Sequence, residues 1–126
     1  MSVVLDASAL LAVILEEPGA DAVLPVLRNS EMSAVNLSEV YAKLLERGVA
    51  LEAAEAQVAR FELRVRQFGE ANALRAAALR PLTKEYGLSF GDRACLAQGE
   101  LSDLPVMTGD RDWAKLDIGV EIILIR

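Results

Sequence analysis

The chain has 126 residues, 53% of them hydrophobic, and a net charge of −6, which fits one globular domain spanning residues 1–126. It contains no histidine and one cysteine, Cys95, which excludes Ser-His-Asp catalysis, histidine-ligated zinc and an intramolecular disulfide. Any acid–base or metal chemistry must therefore come from carboxylates, lysine, tyrosine or water.

The predicted elements follow the order of an α/β protein. Ser2–Leu5 is apolar and β-branched and predicts a first buried strand, and helical composition begins after Asp6. Helical segments separate the later strands, which indicates a sheet between two layers of helices. The predicted strands are Ser2–Leu5, Glu31–Ala34, Leu63–Phe68, Leu104–Met107 and Val120–Ile125, and the predicted helices are Ala7–Leu15, Ala20–Arg28, Asn36–Arg47, Leu51–Glu62, Ala71–Tyr86 and Phe90–Leu101, with a single turn at Asp112–Lys115.

No segment of the sequence predicts a membrane span. The longest unbroken apolar stretch, Ala9–Leu15, is far too short to cross a bilayer. The N-terminal residues lack the basic region of a signal peptide, and Asp6 interrupts their apolar run. We therefore expect a cytoplasmic protein.

Four carboxylates stand where strands give way to helices: Asp6, Glu39, Asp92 and Asp110. In a parallel sheet the carboxyl ends of the strands lie along one edge, where ligands bind, so these acids are expected to converge. Two carboxylates about 4 Å apart repel by roughly 4 kcal/mol at an effective dielectric constant near 20. Such a cluster calls for a cation, and Mg²⁺ or Mn²⁺ is the natural occupant of an all-oxygen site.

Each acid also has a purely structural interpretation as a helix cap. Asp6 and Asp110 each precede a helical segment and fit the N-cap position. Residues 36–39 (NLSE) and 89–92 (SFGD) resemble capping boxes, with Glu39 and Asp92 reaching back to the helix start. If the acids only cap helices, they can lie far apart in the structure. If they hold a cation, their carboxylates must lie close together.

The chain resembles the PIN-domain family, and within it the VapC-type toxins of prokaryotic type II toxin–antitoxin pairs. The resemblance covers nearly the whole chain and rests on the order and spacing of four short segments. These are residues 4–9 (VLDASA), 36–40 (NLSEV), 91–97 (GDRACLA) and 108–113 (TGDRDW). The resemblance implies a parallel sheet of about four or five strands flanked by helices.

The resemblance also implies roles for individual residues. Asp6, Glu39, Asp92 and Asp110 would form the acidic constellation that holds one or two Mg²⁺ ions, with Asp112 sharing or replacing the role of Asp110. Ser8 and Thr108 match small hydroxyl positions that orient carboxylates or water. The implied reaction is hydrolysis of RNA phosphodiesters by metal-activated water. Two cations that follow proposed ligands, Arg93 and Arg111, are candidates for holding substrate phosphates, or else lie in solvent or pair with acids.

The implied partners are an RNA substrate, a second copy of the chain, and an antitoxin whose basic segment enters the acidic pocket. Two alternatives remain open. A PIN-like module that binds RNA or protein without cleavage would share the fold. A phosphorylation receiver domain would share the length and an acidic Mg²⁺ pocket, but it would need adjacent acids after the first strand and a late lysine, and Asp6 stands alone between Leu5 and Ala7.

Overall fold

A computed structural model describes residues 1–126. Five short strands alternate with seven α-helices, and three 3₁₀ turns complete the chain. The strands are β1 (Val4–Leu5), β2 (Glu31–Ser33), β3 (Arg64–Arg66), β4 (Val106–Thr108) and β5 (Ile122–Leu124); the helices are α1 (Ala7–Ile14), α2 (Ala20–Val23), α3 (Ala34–Glu46), α4 (Leu51–Ala59), α5 (Glu70–Ala78), α6 (Arg80–Thr83) and α7 (Phe90–Ser102); the 3₁₀ turns are Leu24–Val26, Lys84–Tyr86 and Arg111–Lys115.

The strands form one parallel sheet in the order β3-β2-β1-β4-β5. The predicted α/β/α architecture with a central parallel sheet of four or five strands is thereby confirmed. The chain order reverses between β1 and β4, and this switch point is where open α/β sheets bind ligands. Asp6 follows β1 at this point, and Thr108 ends β4 beside it, because Leu5 is in register with Met107.

The sheet separates two apolar cores. One core packs Leu5, Met32 and Met107 under α1 and α3, and the other packs Val4, Val106 and Trp113 under α7. Alternate residues of β1 thus serve opposite faces, as the two-residue period of a strand requires. No helix has the length and apolar character that crossing a membrane demands.

Proline explains two differences from the predicted helices. The predicted helix Ala20–Arg28 ends as an α-helix at Val23, and a 3₁₀ turn containing Pro25 follows it. The predicted helix Ala71–Tyr86 is divided near Leu79, two residues before Pro81. A proline removes a backbone donor and restricts the residue before it, so each long helix breaks into shorter pieces.

The start of α3 is the third difference. The prediction began this helix at Asn36, whereas it begins at Ala34, and the Ser33 hydroxyl caps it by accepting from the Val35 N–H at 3.2 Å. Asn36 is therefore inside the first turn and not the N-cap. The capping box predicted at residues 36–39 does not form, which leaves the side chains of Asn36 and Glu39 available for other contacts.

Candidate active site

Asp6 lies at the switch point of the sheet and is almost buried, with 6% of its surface exposed. Its Oδ1 accepts hydrogen bonds from the Ser8 hydroxyl at 2.7 Å and the Ala9 N–H at 2.9 Å, and its Oδ2 accepts from the Thr108 hydroxyl at 2.6 Å. Burial raises the pKa of Asp6 above its ordinary value of 3.8. The three hydrogen bonds oppose this rise, and the negative charge of Asp92 adds to it.

The two hydroxyls that hold Asp6 are themselves oriented by the loop after β4. The Gly109 N–H donates to the Ser8 hydroxyl oxygen at 2.8 Å, and the Asp110 N–H donates to the Thr108 hydroxyl oxygen at 3.0 Å. Each hydroxyl thus accepts from the loop and donates to a different oxygen of Asp6. This fixes the carboxylate from both sides, as expected for residues that orient a ligand.

Asp92 enters the site from the first turn of α7. Its Oδ2 accepts from the Ser89 N–H at 2.9 Å, while the Ser89 hydroxyl accepts from the Asp92 N–H at 3.1 Å, which is the predicted capping box. A carboxylate near a helix N-terminus is favoured by the helix dipole. The other oxygen of Asp92 receives no hydrogen bond from the protein.

Glu39 reaches the same place from α3. Its Oε1 accepts from the Asn36 side-chain amide at 2.8 Å, and this amide also donates to the Gly91 carbonyl at 2.9 Å. The carboxylate lies directly over Gly91, where an added Cβ would be 2.7 Å from the Glu39 Cδ. Glu39 is therefore held against the backbone of the residue that precedes Asp92.

The pKa of the Cys95 thiol is influenced by the charges of three acids. This cysteine is fully buried on α7, and burial raises the pKa of its thiol well above the ordinary value. The negative charges of Asp6, Asp92 and Glu39 all add to the rise. Three acids separated by up to 86 positions in sequence thus act on one buried atom.

Asp110 joins this group through hydrogen bonds to the loop and not through burial. It is exposed, and its Oδ1 accepts from the Asp112 N–H at 3.0 Å, capping the 3₁₀ turn that follows. Asp112 is also exposed and forms an ion pair with Lys115 at 3.2 Å. Of these two acids, Asp110 is the one linked to Asp6, because its N–H holds the Thr108 hydroxyl.

The capping interpretation holds for Asp6, Asp92 and Asp110, each of which caps a helical segment. No group of three or more His, Cys, Asp or Glu side chains is arranged so that it could hold a metal ion. Glu39, Asp92 and Asp110 nevertheless each keep one oxygen without a protein hydrogen bond. These acids supply the all-oxygen, negatively charged donors that Mg²⁺ and Mn²⁺ prefer.

The two arginines that follow proposed ligands differ in their surroundings. Arg93 is half-buried, donates from Nη1 to the Ala76 carbonyl at 2.9 Å and lies over the Phe90 ring, so it links α7 to α5. Arg111 is exposed and has no ion-pair or side-chain hydrogen-bond partner. Of these two arginines, only Arg111 has a guanidinium free to bind a phosphate group.

Two residues at the site were not identified as functional from the sequence. Asn36 was interpreted as a helix cap, although a spacing of three residues on a helix also brings it beside Glu39. Arg126 donates from Nη1 to the Pro18 carbonyl at 2.7 Å, and its guanidinium covers Gly109 in the loop that orients Asp6. No local pattern could indicate the hydrogen bond to Pro18, because it joins residues 108 positions apart in sequence.

Comparison with known proteins places this geometry in context. The family model of the PIN domain matches residues 3–119. No curated protein matches the sequence at a significant level. Three similar solved structures are informative: a toxin–antitoxin complex from Klebsiella pneumoniae (20% identity, 98% of each chain covered, TM-score 0.76), DNA-bound VapBC from Salmonella typhimurium (19%, 100% of this chain and 99% of the other, 0.78) and VapC20 from Mycobacterium tuberculosis, a sarcin-ricin loop cleaving toxin (18%, 90% and 93%, 0.72). At these identities the likeness establishes the fold.

Proposed function

The chain belongs to the PIN-domain family, and from this premise we propose that it is a metal-dependent endoribonuclease, the VapC-type toxin of a toxin–antitoxin pair. The observation that carries the proposal is the hydrogen-bonded framework at the switch point of the sheet, in which Ser8 and Thr108 hold Asp6 and Asn36 ties Glu39 to the backbone of Gly91, next to Asp92. The similarity to a toxin–antitoxin complex supports the choice of partner, and the similarity to VapC20, a sarcin-ricin loop cleaving toxin, supports the choice of substrate class.

The proposed site uses Asp6, Asp92, Asp110 and Glu39 to hold Mg²⁺ or Mn²⁺. A bound divalent cation would lower the pKa of a coordinated water and neutralise charge on the phosphate oxygens. Neighbouring residues orient two of these carboxylates: Ser8 and Thr108 hold Asp6, and the capping box with Ser89 holds Asp92. Glu39 and Asp110 are our candidates for accepting the proton of the attacking water.

The sheet order distinguishes this proposal from the receiver alternative. Receiver domains of the doubly wound type have the strand order 2-1-3-4-5, whereas this sheet has the order 3-2-1-4-5. A PIN-like module that binds without cleavage shares the fold, and only a cleavage assay separates it from a nuclease.

The proposed protein partner is an antitoxin that carries a basic segment. A groove of about 440 Å³ beside the α1–α2 turn combines the apolar side chains of Val13 and Leu24 with the acidic side chains of Glu16, Glu17 and Asp21. Such a lining complements an amphipathic basic segment, and the acidic edge near Asp6 suits a lysine or arginine. The proposed second copy of the chain has exposed leucines on which to pack, among them Leu74 and Leu82.

The test is Mg²⁺-dependent cleavage of an RNA pool that contains transfer, ribosomal and messenger RNA. We expect cleavage by the wild type with Mg²⁺ or Mn²⁺ and none with EDTA. Asp6→Asn should lower the rate by more than about 100-fold, because the cation that would neutralise charge in the transition state loses a ligand. Asp103→Asn makes the same change of charge at an exposed residue after α7 and should retain the rate.

An Asp6→Asn protein that cleaves as fast as the wild type would refute the assignment of this residue. A wild-type chain that binds RNA without cutting it in Mg²⁺ or Mn²⁺ would establish the non-catalytic module instead.

A further inference from the structure

Asn36 has an unusual place for a polar side chain. It is 1% exposed in the first turn of α3, and its Nδ2 donates to the Glu39 Oε1 at 2.8 Å and to the Gly91 carbonyl at 2.9 Å. The orientation of the amide follows from these partners, since a reversed amide would set its oxygen against two acceptor oxygens. Asn36 therefore uses both amide protons on the two groups that define the position of Glu39.

The amide oxygen of the same side chain is buried without a compensating interaction. Asn36 Oδ1 is buried and has no hydrogen-bond partner. Leaving a buried polar atom unsatisfied carries a desolvation penalty, so the residue is a poor choice if its purpose is stability alone. The bonds that it does make join α3 to the start of α7 at the acidic edge of the sheet.

Glu39 needs such a constraint because its side chain is long and exposed at the surface. Fixing a long glutamate side chain in one conformation costs rotamer entropy. The bond from Asn36 holds Oε1, and the absence of a Cβ at Gly91 allows the carboxylate to lie against the backbone there. The second oxygen, Oε2, receives no hydrogen bond and stays available next to the residue that precedes Asp92.

We infer that Asn36 is a positioning residue that, together with the space at Gly91, holds the Glu39 carboxylate where it can contribute to a divalent cation shared with Asp92. The inference rests on the proposed function for the cation, whereas the geometry of Asn36, Glu39 and Gly91 stands independently of it. Asn36 acts through Glu39 and does not itself need to touch the cation or the RNA.

The experiment measures Mn²⁺ affinity by electron paramagnetic resonance and calorimetry, without RNA. We expect Asn36→Ala to weaken Mn²⁺ binding by about 10–100-fold, the usual effect of removing a residue that orients a metal ligand. In a Glu39→Gln background, adding Asn36→Ala should change the affinity by less than about twofold, because the two changes remove one shared interaction.

Asn72→Ala is the matched control. Asn72 is also a buried asparagine, 8% exposed, and it donates to the Gln98 Oε1 at 3.0 Å and accepts from the Gly69 N–H at 3.1 Å, away from the acids. Its replacement should lower thermal stability and leave Mn²⁺ affinity unchanged. Asn36→Asp, which keeps the size of the side chain but places a negative charge against Glu39, is the second variant if the alanine protein does not fold.

Three results would overturn the inference: wild-type Mn²⁺ affinity in the Asn36 variants, an equal loss in Asn72→Ala, or an undiminished effect of Asn36→Ala in the Glu39→Gln background. A wild-type chain with no affinity for Mn²⁺ would overturn it as well. The outcome is separable from the nuclease proposal. Asn36-dependent Mn²⁺ binding without RNA cleavage refutes only the nuclease, and cleavage with unchanged Mn²⁺ binding in Asn36→Ala refutes only this inference.

Discussion

At the scale of single residues, the charged form of Asp6 is electrostatically unfavourable. Three donors favour its charged form, yet burial and the charge of Asp92 together keep the pKa of Asp6 above the ordinary value. Burial of a carboxylate raises its pKa because the charged form loses hydration. The metal-free site is thus a place where negative charge is costly and positive charge is welcome, which is the property that a cation site needs.

Gly91 offers a test of the geometry at residue scale. Glycine in a helix is ordinarily less favourable than alanine by about 1 kcal/mol, so Gly91→Ala would normally stabilise α7. Here the new Cβ meets the end of the flexible Glu39 side chain, which can swing away. We expect the free energy of unfolding to change by less than about 1 kcal/mol, while Mn²⁺ affinity and RNA cleavage fall by about tenfold or more.

The control for this substitution is Gly69→Ala. Gly69 precedes α5 with a negative φ, and the nearest atom to an added Cβ is the Asn72 Oδ1 at 3.9 Å. Denaturant unfolding measures the stability of both variants, and Mn²⁺ titration measures their affinity for the ion. Wild-type affinity in Gly91→Ala would mean that Glu39 has no fixed place over this glycine.

At the scale of elements, local sequence signals predicted the strands and most helices. β1 is an apolar segment that ends at Asp6, β2 was identified as a short strand although only its middle residue, Met32, is apolar, and the short alternating segment that became β3 was also identified. The start of α3 was missed because Ser33, which ends β2, also caps the helix, so no loop separates the two elements. The segment 36–39 imitates a capping box while its side chains serve contacts to α7, and only the folded chain reveals that use.

A polar seam, formed by Arg66, Glu31, Ser102, Gln98 and Asn72, joins four elements on the α7 side of the sheet. The Arg66 Nη2 and the Ser102 hydroxyl donate to the two oxygens of Glu31 at 2.9 and 2.5 Å, and Gln98 links Ser102 to Asn72. The seam lines a groove of about 790 Å³ beside the edge strand β3. It links β3 and α5 to the rest of the sheet at a place where all three residues of β3 are exposed to solvent.

The seam makes a pH-dependent contribution to stability. Burial acts to raise the pKa of Glu31, but the hydrogen bonds from Arg66 and Ser102 and the charges of Arg66 and Arg64 outweigh it, so the pKa lies below the ordinary value of 4.5. A carboxylate with a lowered pKa stabilises the fold above its unfolded pKa, and the contribution is lost as pH falls through the folded pKa. Glu31→Gln should therefore be less stable than wild type at pH 7 by roughly 1–2 kcal/mol, since Arg66 is half exposed.

Urea unfolding over a range of pH provides the measurement. The stability difference between Glu31→Gln and wild type should shrink once the pH falls below 4.5. Glu62→Gln is the control, because Glu62 is exposed in its ion pair with Arg28 and should cost less than about 1 kcal/mol. A difference that stays constant from neutral to acidic pH would show that the charge of Glu31 does not stabilise the seam.

At the scale of the whole molecule, the negative charge and the sheet topology determine what the chain needs in order to meet RNA. A net charge of −6 gives no general attraction for a polyanion. The sequence predicted that the acids lie along one edge of the sheet, because strand ends in a parallel sheet share an edge. It could not predict the contact of Arg126 with Gly109, which depends on the packing of the chain's last residue against the loop after β4. A divalent cation would reverse the sign of the field at the place where phosphate must approach.

The same cation should reverse the order of stability of wild type and Asp6→Asn. In EDTA the variant loses a buried charge that Asp92 repels, and the asparagine keeps an oxygen for Ser8 and Ala9, so its Tm should be about 2–5 °C higher. With Mg²⁺ at about 100 times its Kd, the wild type should gain about 2.7 kcal/mol, close to 10 °C in Tm, because the cation binds only the folded chain. The Tm of the variant should hardly rise with Mg²⁺, so the wild type becomes the more stable of the two proteins. Calorimetry with and without Mg²⁺ measures this reversal. Asp103→Asn should follow the wild type in both buffers, and a wild-type Tm that ignores Mg²⁺ and Mn²⁺ would contradict a cation site at Asp6.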